Sequence, residues 1–355
     1  MPLAPGFVLS EAQTLLALSG LAEATVPGAL APAVPPGWIM TFQSPELGPF
    51  DNLFQLWQNT AVANQYAVAI RGTVEETGSI IEDLASLMIP ASFQVTVQDL
   101  TISFQFAAEP ATGIKPAGIH LGFALGALSM LLDIENFGAN SILMQLANLP
   151  EGSEVYITGH SRGAALATLV TSYLHYPNYL TGGRLRTFSY KTYSFAQPKP
   201  GNDHYSWDYE QAVVRQGLAY RVTNPLDWVP QTPFTLEFLQ DVNTPNPLST
   251  VTGISGTIAG SVATAVHAAV ALEEARALGR AINLCQNLPS LVEAKGKPAG
   301  LLPGAAPLSI LASLNFMPAG AEIALVPNIA YTDPNDEFSQ HHVATYQALL
   351  TQTFG

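Results

Sequence analysis

The sequence is poor in cysteine, in charged residues and above all in basic residues. Its 355 residues include one cysteine, Cys285, so neither an intrachain disulfide nor a cysteine-based metal site is expected. Lysine and arginine number 13 against 27 aspartates and glutamates, which gives a net charge of −14. No basic run could neutralise phosphates, so nucleic-acid binding is not expected. Any contact with a lipid surface is expected to be apolar rather than electrostatic.

The chain also lacks a long apolar run and a recognisable secretion signal. No apolar stretch reaches the roughly 20 residues of a membrane span. Near the N-terminus, Glu11 stands where a cleavable signal peptide would carry lysine or arginine. The compartment is therefore left open between the cytoplasm and export without a cleavable signal.

Hydrophobic residues, in contrast, are abundant at 48%, while charged residues make up 11%. Such a chain can fill a large core and still expose apolar surface. This composition is typical of a protein that acts on an apolar phase, or of one with a large buried interface between subunits. The sequence implies no obligate protein partner.

Short apolar runs alternate with helical patterns along the chain, which predicts a mostly parallel sheet covered by helices on both faces. The predicted strands are 66–71, 154–158, 190–195 and 218–223. The predicted helices include 51–64, 75–90, and a single helix from 122 towards 146. Residues 240–320 interrupt the alternation and are interpreted as a helical insertion or cap within a single domain over 1–355.

A Gly-x-Ser-x-Gly motif at residues 159–163 is the most informative short pattern. It lies between a predicted buried strand and a predicted helix. This is where a strained strand-to-helix turn would project a serine hydroxyl above the sheet. The helix N-terminus would direct free N–H groups to the same place. The motif predicts Ser161 as a nucleophile, with the backbone N–H of Arg162 as an oxyanion-hole donor.

Four further motifs, together with this one, resemble the fungal-type, or class 3, triacylglycerol lipases. Their order and spacing agree with that family from about residue 65 to 230. Two departures occur in the serine motif, where Arg162 and Ala164 replace the usual leucine and glycine. The motifs are Ala69-Ile-Arg-Gly-Thr73, Gly118-Ile-His-Leu-Gly-Phe123, Ser194-Phe-Ala-Gln-Pro-Lys-Pro-Gly-Asn202 and Asp227-Trp-Val-Pro230.

The resemblance implies an α/β-hydrolase fold, class α/β, and several site features. The backbone N–H of Thr73 would be the other oxyanion-hole donor. The amphipathic helix at 75–90 would occupy the lid position, although a helix packed permanently on the body has the same pattern. The side chain of Arg162 is expected to border the substrate mouth, where it could alter specificity.

In α/β-hydrolases, the nucleophilic serine comes first along the chain, the acid second and the histidine base last. This order guides the assignment of the acid and the base. Asp227 follows a predicted strand through a short turn and precedes Val-Pro, as in the resembled family. Three of the seven histidines follow it, and of these only His341 and His342 lie in a loop-to-helix setting, whereas His267 has no supporting context. The family spacing of five positions to Tyr346 favours His341, with His342 as the alternative. The elbow residue His160 is interpreted as structural and pointing elsewhere.

The predicted function is hydrolysis of carboxylic esters of triacylglycerols or other lipids through Ser161, Asp227 and His341. A phospholipase A1, an esterase of soluble esters or an acyltransferase would share these residues. An inactive hydrolase fold that serves as a binding protein is the alternative from another class. No motif indicates a metal or an organic cofactor. The expected partner is a lipid or ester substrate, with transient contact at a lipid interface.

Overall fold

A seven-stranded β-sheet forms the centre of the computed structural model. The structure describes residues 3–25, 31–48, 50–72, 87–97, 100–111, 114–133, 136, 138–176, 184–235, 237, 241–243, 311 and 313–355. The strands in these ranges are β1 Trp38–Gln43, β2 Phe54–Asn59, β3 Gln65–Ile70, β4 Met88–Pro90, β5 Ser92–Val97, β6 Leu100–Gln105, β7 Gly118–His120, β8 Glu154–His160, β9 Ser189–Phe195, β10 Gly201–Asn202, β11 Ala219–Thr223, β12 Phe316–Met317 and β13 Ala321–Ala324. The α-helices are α1 Leu9–Glu23, α2 Leu121–Leu132, α3 Ile142–Ala147, α4 Arg162–His175, α5 Asp203–Ala212 and α6 Val343–Phe354.

The central sheet is antiparallel at one edge and parallel over the rest. Its order is β1-β2-β3-β8-β9-β11-β13. The first three strands pair antiparallel, and each following pair is parallel. Parallel neighbours bring their carboxyl ends to one edge of the sheet, where open α/β sheets place their ligand sites. The predicted α/β-hydrolase fold is confirmed.

Helices cover both faces of this sheet, because alternate residues of each strand face opposite sides. In β3, Val68 and Ile70 belong to the core beneath α2 and α4. Their neighbours Ala67 and Ala69 belong to the second core, beneath α1 and α6. Strands that are buried on both faces explain why the sequence shows them as continuous apolar runs.

The N-terminal helix α1 is fastened to the sheet by a buried polar cluster around Glu11. Its carboxylate accepts hydrogen bonds from Lys191 Nζ at 2.6 Å, Tyr193 Oη at 2.7 Å and Tyr156 Oη at 2.9 Å. The Lys191 side chain is fully buried, and such a charge requires an ionic partner. Since Glu23 is the last residue of the same helix, the cluster also fixes its position.

Two predicted helices differ from the structure. Residues 54–59 of the predicted helix 51–64 form β2, because β1 and β3 pair with it on both sides. Sheet pairing outweighs local preference at such a position. The single helix predicted from 122 towards 146 is two helices. The first ends at Asp133, whose backbone is left-handed with φ 42°, and Ser141 caps the second by accepting from Met144 N.

The two predicted accessory segments fall largely outside the described residues. Residues 75–86 of the helix predicted at 75–90 lie outside the described residues. Its last three residues form β4 instead of a helix, because they pair with β7. Of the insertion predicted at 240–320, the structure describes 241–243, 311 and 313–320. The last of these ranges contains β12, which pairs with β10. In the part of the chain that the structure describes, no helix is long and apolar enough to cross a membrane.

Candidate active site

The turn between β8 and α4 holds Ser161 in a strained backbone conformation. Its φ of 56° and ψ of −135° lie outside the regions that non-glycine residues usually adopt. The flanking glycines permit this turn. A Cβ on Gly159 would clash with the backbone of Gly163, and a Cβ on Gly163 would clash with the carbonyl oxygen of Ile70. The geometry is that of a nucleophile elbow.

Hydrogen bonds hold the elbow at the carboxyl edge of the sheet. Ser161 N donates to Phe195 O, the last residue of β9, at 3.0 Å, and Ala164 N donates to Ser161 O at 2.9 Å. Ser161 directly precedes α4, whose N-terminal dipole and free N–H groups favour negative charge beside its hydroxyl.

Asp227 lies in the loop after β11 and is buried. Its Oδ1 accepts from Val229 N at 3.0 Å. Its Oδ2 accepts from His341 Nδ1 at 2.7 Å and from Tyr346 Oη at 2.8 Å. These donors satisfy a carboxylate that burial would otherwise penalise, and they fix its orientation towards the imidazole.

The structure pairs Asp227 with His341 and not with His342. The His341 side chain is 8% exposed, and its hydrogen bond to Asp227 engages Nδ1 and not Nε2. Burial, and then the nearby charge of His160, hold the pKa of His341 below its usual value, against the opposing effect of Asp227. The His342 side chain is 55% exposed and pairs with Asp336 instead.

Tyr346 and Asn224 hold Asp227 and His341 in position. Sequence reasoning did not assign either of them to the site. Tyr346 Oη, which donates to Asp227, also accepts from Asn224 N at 3.1 Å. The Asn224 side chain donates to Gln340 O and to Gln340 Oε1, each at 2.8 Å. The loop that carries the acid is thereby tied to the loop that carries His341. The spacing between His341 and Tyr346 was the available signal, but it served only to select the histidine.

The side chain of Arg162 does not border the substrate mouth, which corrects the expectation from sequence. It is buried, and its Nη2 donates to Gly72 O at 3.0 Å while Nη1 donates to Phe50 O at 3.2 Å. Burial, and then the charge of Arg71, lower its pKa to about 9. Since Arg162 is the first residue of α4, its own backbone N–H has no acceptor within the helix. Thr73, the other predicted oxyanion donor, lies outside the described residues.

His160 also differs from its interpretation as a histidine that points elsewhere. Its ring packs against that of His341, with 4.5 Å between centroids. Its Nε2 lies 2.7 Å from His341 O, and its Nδ1 lies 2.8 Å from Glu23 Oε1. The motif alone could not reveal this contact, because Glu23 and His341 lie 137 and 181 positions away.

Two exposed aromatic side chains lie near His341. Trp228 and Phe338 are 42% and 43% exposed, and their ring centroids are 5.3 Å apart. The centroid of Phe338 lies 5.9 Å from that of His341. Leu226, on the same loop as Trp228, is 40% exposed. Trp228, Phe338 and Leu226, which we call the apolar rim, present an apolar surface beside the candidate base.

No metal centre is found among the residues that the structure describes, since no group of three or more His, Cys, Asp or Glu side chains could hold an ion. His120, one of the remaining histidines, is buried at the start of α2. Its Nδ1 accepts from Phe123 N at 3.3 Å, and burial lowers its pKa to about 3. It therefore caps the helix as a neutral imidazole.

Comparison with known proteins finds similarity to lipases. The family model for Lipase (class 3) matches residues 67–237. The secreted mono- and diacylglycerol lipase 1 of Fusarium solani is 26% identical over 148 residues, which cover 41% of this chain. The match spans 39% of the length of that relative.

Solved lipase structures are also similar to this chain, at low sequence identity. The lipase from Rhizopus microsporus var. chinensis is 19% identical with a TM-score of 0.43, covering 65% of this chain and 71% of its own. The Lip2 lipase from Yarrowia lipolytica is 19% identical with a TM-score of 0.44, covering 65% and 78%. The M37 lipase is 17% identical with a TM-score of 0.48, covering 88% and 81%.

The region that the family model matches contains the serine elbow, the acid loop and the motifs between them. Through residues 67–237, just under half of its length, this chain is therefore similar to the class 3 lipase family.

Proposed function

We propose that the protein is a serine hydrolase that cleaves carboxylic ester bonds of lipids through Ser161, Asp227 and His341. The hydrogen bond of 2.7 Å between Asp227 and His341, behind the strained Ser161 elbow, carries this proposal. A serine hydroxyl needs an adjacent base to become nucleophilic, and the base needs a carboxylate that orients it.

The reaction proceeds in two acyl-transfer steps. Ser161 Oγ attacks the ester carbonyl carbon while His341 Nε2 takes the hydroxyl proton, and the alcohol then leaves with that proton. Water next attacks the acyl carbon and gives its proton to His341. The fatty acid departs as the proton returns to Ser161 Oγ. Asp227 stabilises the imidazolium that exists between these transfers.

The negative oxygen of each tetrahedral intermediate needs hydrogen-bond donors that are already in place. We assign one donor to the backbone N–H of Arg162, at the N-terminus of α4. The second donor that the family resemblance implies is the backbone N–H of Thr73. The guanidinium of Arg162 donates to the carbonyl oxygen of Gly72, the residue before Thr73, at 3.0 Å.

The surroundings of the site favour an apolar acyl substrate. The apolar rim of Trp228, Phe338 and Leu226 exposes apolar side chains beside His341. An exposed apolar patch of this kind requires a functional reason, and the acyl chains of a lipid ester supply one. The net charge of −14 makes an apolar contact with a lipid phase more favourable than an electrostatic one. Triacylglycerols and partial acylglycerols are the first substrates to test.

The similarity to a Fusarium solani protein that is named as secreted supports export of this chain as well. Export would place the enzyme where emulsified lipid is available. Detection of the full-length protein in the medium of expressing cells, rather than in their lysate, tests this part of the proposal.

The decisive experiment measures hydrolysis of p-nitrophenyl esters from acetate to palmitate, together with emulsified tributyrin and triolein. Ser161→Ala is the control, checked for folding by its circular dichroism and its urea midpoint. Turnover of long chains and emulsions that is lost in Ser161→Ala is the expected result. Turnover of soluble short esters alone would replace the lipase proposal by an esterase.

Absence of any turnover would favour an inactive hydrolase fold, and labelling by a fluorophosphonate distinguishes that outcome from a missing substrate. An activated Ser161 is modified by the reagent whatever its natural ester is, whereas a serine without a working base is not. Activity retained by Ser161→Ala would contradict the assignment of the nucleophile itself.

A further inference from the structure

His160, the residue before the candidate nucleophile, lies between two hydrogen-bond acceptors. Its Nδ1 is 2.8 Å from Glu23 Oε1 at the end of α1. Its Nε2 is 2.7 Å from the backbone carbonyl oxygen of His341. Both distances are those of charge-assisted hydrogen bonds, and the His160 side chain is buried.

The chemistry of these two acceptors determines the protonation of the ring. A backbone carbonyl oxygen can only accept a hydrogen bond, and so can an ionised carboxylate. Each nitrogen of His160 must therefore carry a hydrogen. A neutral imidazole has one N–H, whereas an imidazolium has two. With Glu23 ionised, the geometry requires His160 to be an imidazolium.

The electrostatic environment favours this ion pair. Burial lowers the pKa of His160, but the combined effects of Glu23, the His341 carbonyl and Asp227 outweigh it, so the pKa of His160 is raised above its ordinary value. Burial likewise raises the pKa of Glu23, but the combined effects of His160, His341 and His342 outweigh it, so the pKa of Glu23 is lowered. Both shifts favour the charged forms of the pair.

The groups that face His160 come from two helices and two loops. Glu23 belongs to α1, Asp227 to the loop after β11, and His341 to the loop before α6. Tyr346 of α6 packs edge-on against the ring, with 5.7 Å between centroids. The two carboxylates flank a pair of histidine rings that are only 4.5 Å apart, and two imidazoliums at that distance repel each other strongly.

We propose that His160 is a permanent imidazolium paired with Glu23. The charge of His160 keeps the His341 ring neutral, and its hydrogen bond to His341 O holds the backbone of His341 in position. His341 can then act as a base in mildly acidic conditions. This role rests on the proposed function, in which His341 is the general base. His160 is a positioning residue, since it acts through His341 and does not contact the reacting atoms.

The proposal has a defined consequence for pH dependence. A general base works in its unprotonated form, so the acidic limb of kcat/KM reports the pKa of His341 in the free enzyme. Removing a cation beside a base makes its protonation easier. We therefore expect His160→Gln to raise the pKa of His341 by about one unit, since a like charge at close range shifts a pKa by that order. The acidic limb should then move to higher pH by about the same amount, which is roughly a tenfold loss of rate on that limb.

The test begins with the wild-type protein and does not depend on turnover. Nitrogen-15 NMR of the histidine rings reports whether each nitrogen of His160 carries a proton and gives the titration of His341 directly. We expect His160 to show two N–H groups at pH 7 to 8. A single protonated nitrogen in that range would overturn the proposal. Because the measurement uses the wild-type protein, it does not depend on whether His160→Gln folds.

The variants His160→Gln and His342→Gln are then compared by the same titration and by kcat/KM against pH. His342 is the matched control, because it is adjacent to His341 in sequence but exposed and paired with Asp336. An upward shift in His160→Gln alone supports the proposal, and equal behaviour of the two variants overturns it. If the His341 titration shifts but no ester is hydrolysed, only the proposed function fails.

Discussion

Removal of the Tyr346 hydroxyl tests how Asp227 is held in position. In Tyr346→Phe, the buried ring and its packing remain, but Oη is lost. This atom donates to Asp227 Oδ2 at 2.8 Å and accepts from Asn224 N at 3.1 Å. Tyr346 is fully buried, so water cannot take the place of the hydroxyl without rearrangement.

The magnitude follows from these two contacts. A hydrogen bond to a charged group contributes about 1.5–3 kcal/mol, and a buried N–H left without an acceptor costs about 1–3 kcal/mol. Asp227 keeps its bonds to Val229 N and His341 Nδ1. We therefore expect the free energy of unfolding to fall by about 2–4 kcal/mol. We expect kcat/KM to fall about tenfold, which corresponds to about 1.4 kcal/mol of transition-state stabilisation.

The assay combines urea unfolding with kcat/KM on a soluble p-nitrophenyl ester. Tyr190→Phe is the matched control, since its hydroxyl donates to Leu185 O at 2.9 Å near the amino end of β9, away from the site. It should lose about 1 kcal/mol of stability and keep its activity. If Tyr346→Phe lost stability without losing more activity than Tyr190→Phe, the idea that Tyr346 orients Asp227 would be refuted.

Two further substitutions test other contacts of the site. His341→Ala should lower kcat by at least about a thousandfold, whereas His342→Ala, which removes an exposed side chain, should change it less than about threefold. The reverse order in steady-state kinetics would transfer the role of base to His342. Arg162→Leu removes the hydrogen bonds to Phe50 O and Gly72 O, and we expect a loss of about 2 kcal/mol in unfolding free energy together with a lower kcat. An unchanged urea midpoint would show that the two carbonyls do not need the guanidinium.

The arrangement of the site links the N-terminal helix to the reaction chemistry. Glu11 fastens α1 to the sheet through Lys191 and two tyrosines. Twelve residues later in the same helix, Glu23 reaches His160 beside the elbow. A helix that covers one face of the sheet therefore also supplies a charge beside the candidate active site.

Much of the sheet and the elbow could be predicted from local sequence. Strands β3 and β8 are short apolar runs, because both of their faces are buried. The glycines at 159 and 163 indicate the close contacts that their missing side chains permit. Asp227 was predictable from its place after a strand and before Val-Pro. Each of these signals extends over a few residues, which is why periodicity and motif spacing suffice to find it.

Other features depended on contacts between distant segments. The strand at 54–59 was predicted as a helix, because its identity comes from pairing with β1 and β3 on either side. The side chain of Arg162 was expected at the substrate mouth, yet it turns inward to two carbonyl groups. A motif specifies which residue follows the serine, but the surrounding backbone decides where its side chain points.

The sequence by itself determined the fold class, the serine elbow and the acid, because each is encoded by residues that are near neighbours along the chain. The family spacing to Tyr346 favoured His341, but only the tertiary structure shows that Asp227 pairs with His341 while His342 pairs with Asp336, because these pairings depend on the direction of each side chain. The Glu23–His160–His341 contact likewise required the fold, because it joins segments more than 130 positions apart. Hydrogen bonds and burial are properties of positions in space, and the packing of α1 and α6 on one face of the sheet brings those positions together.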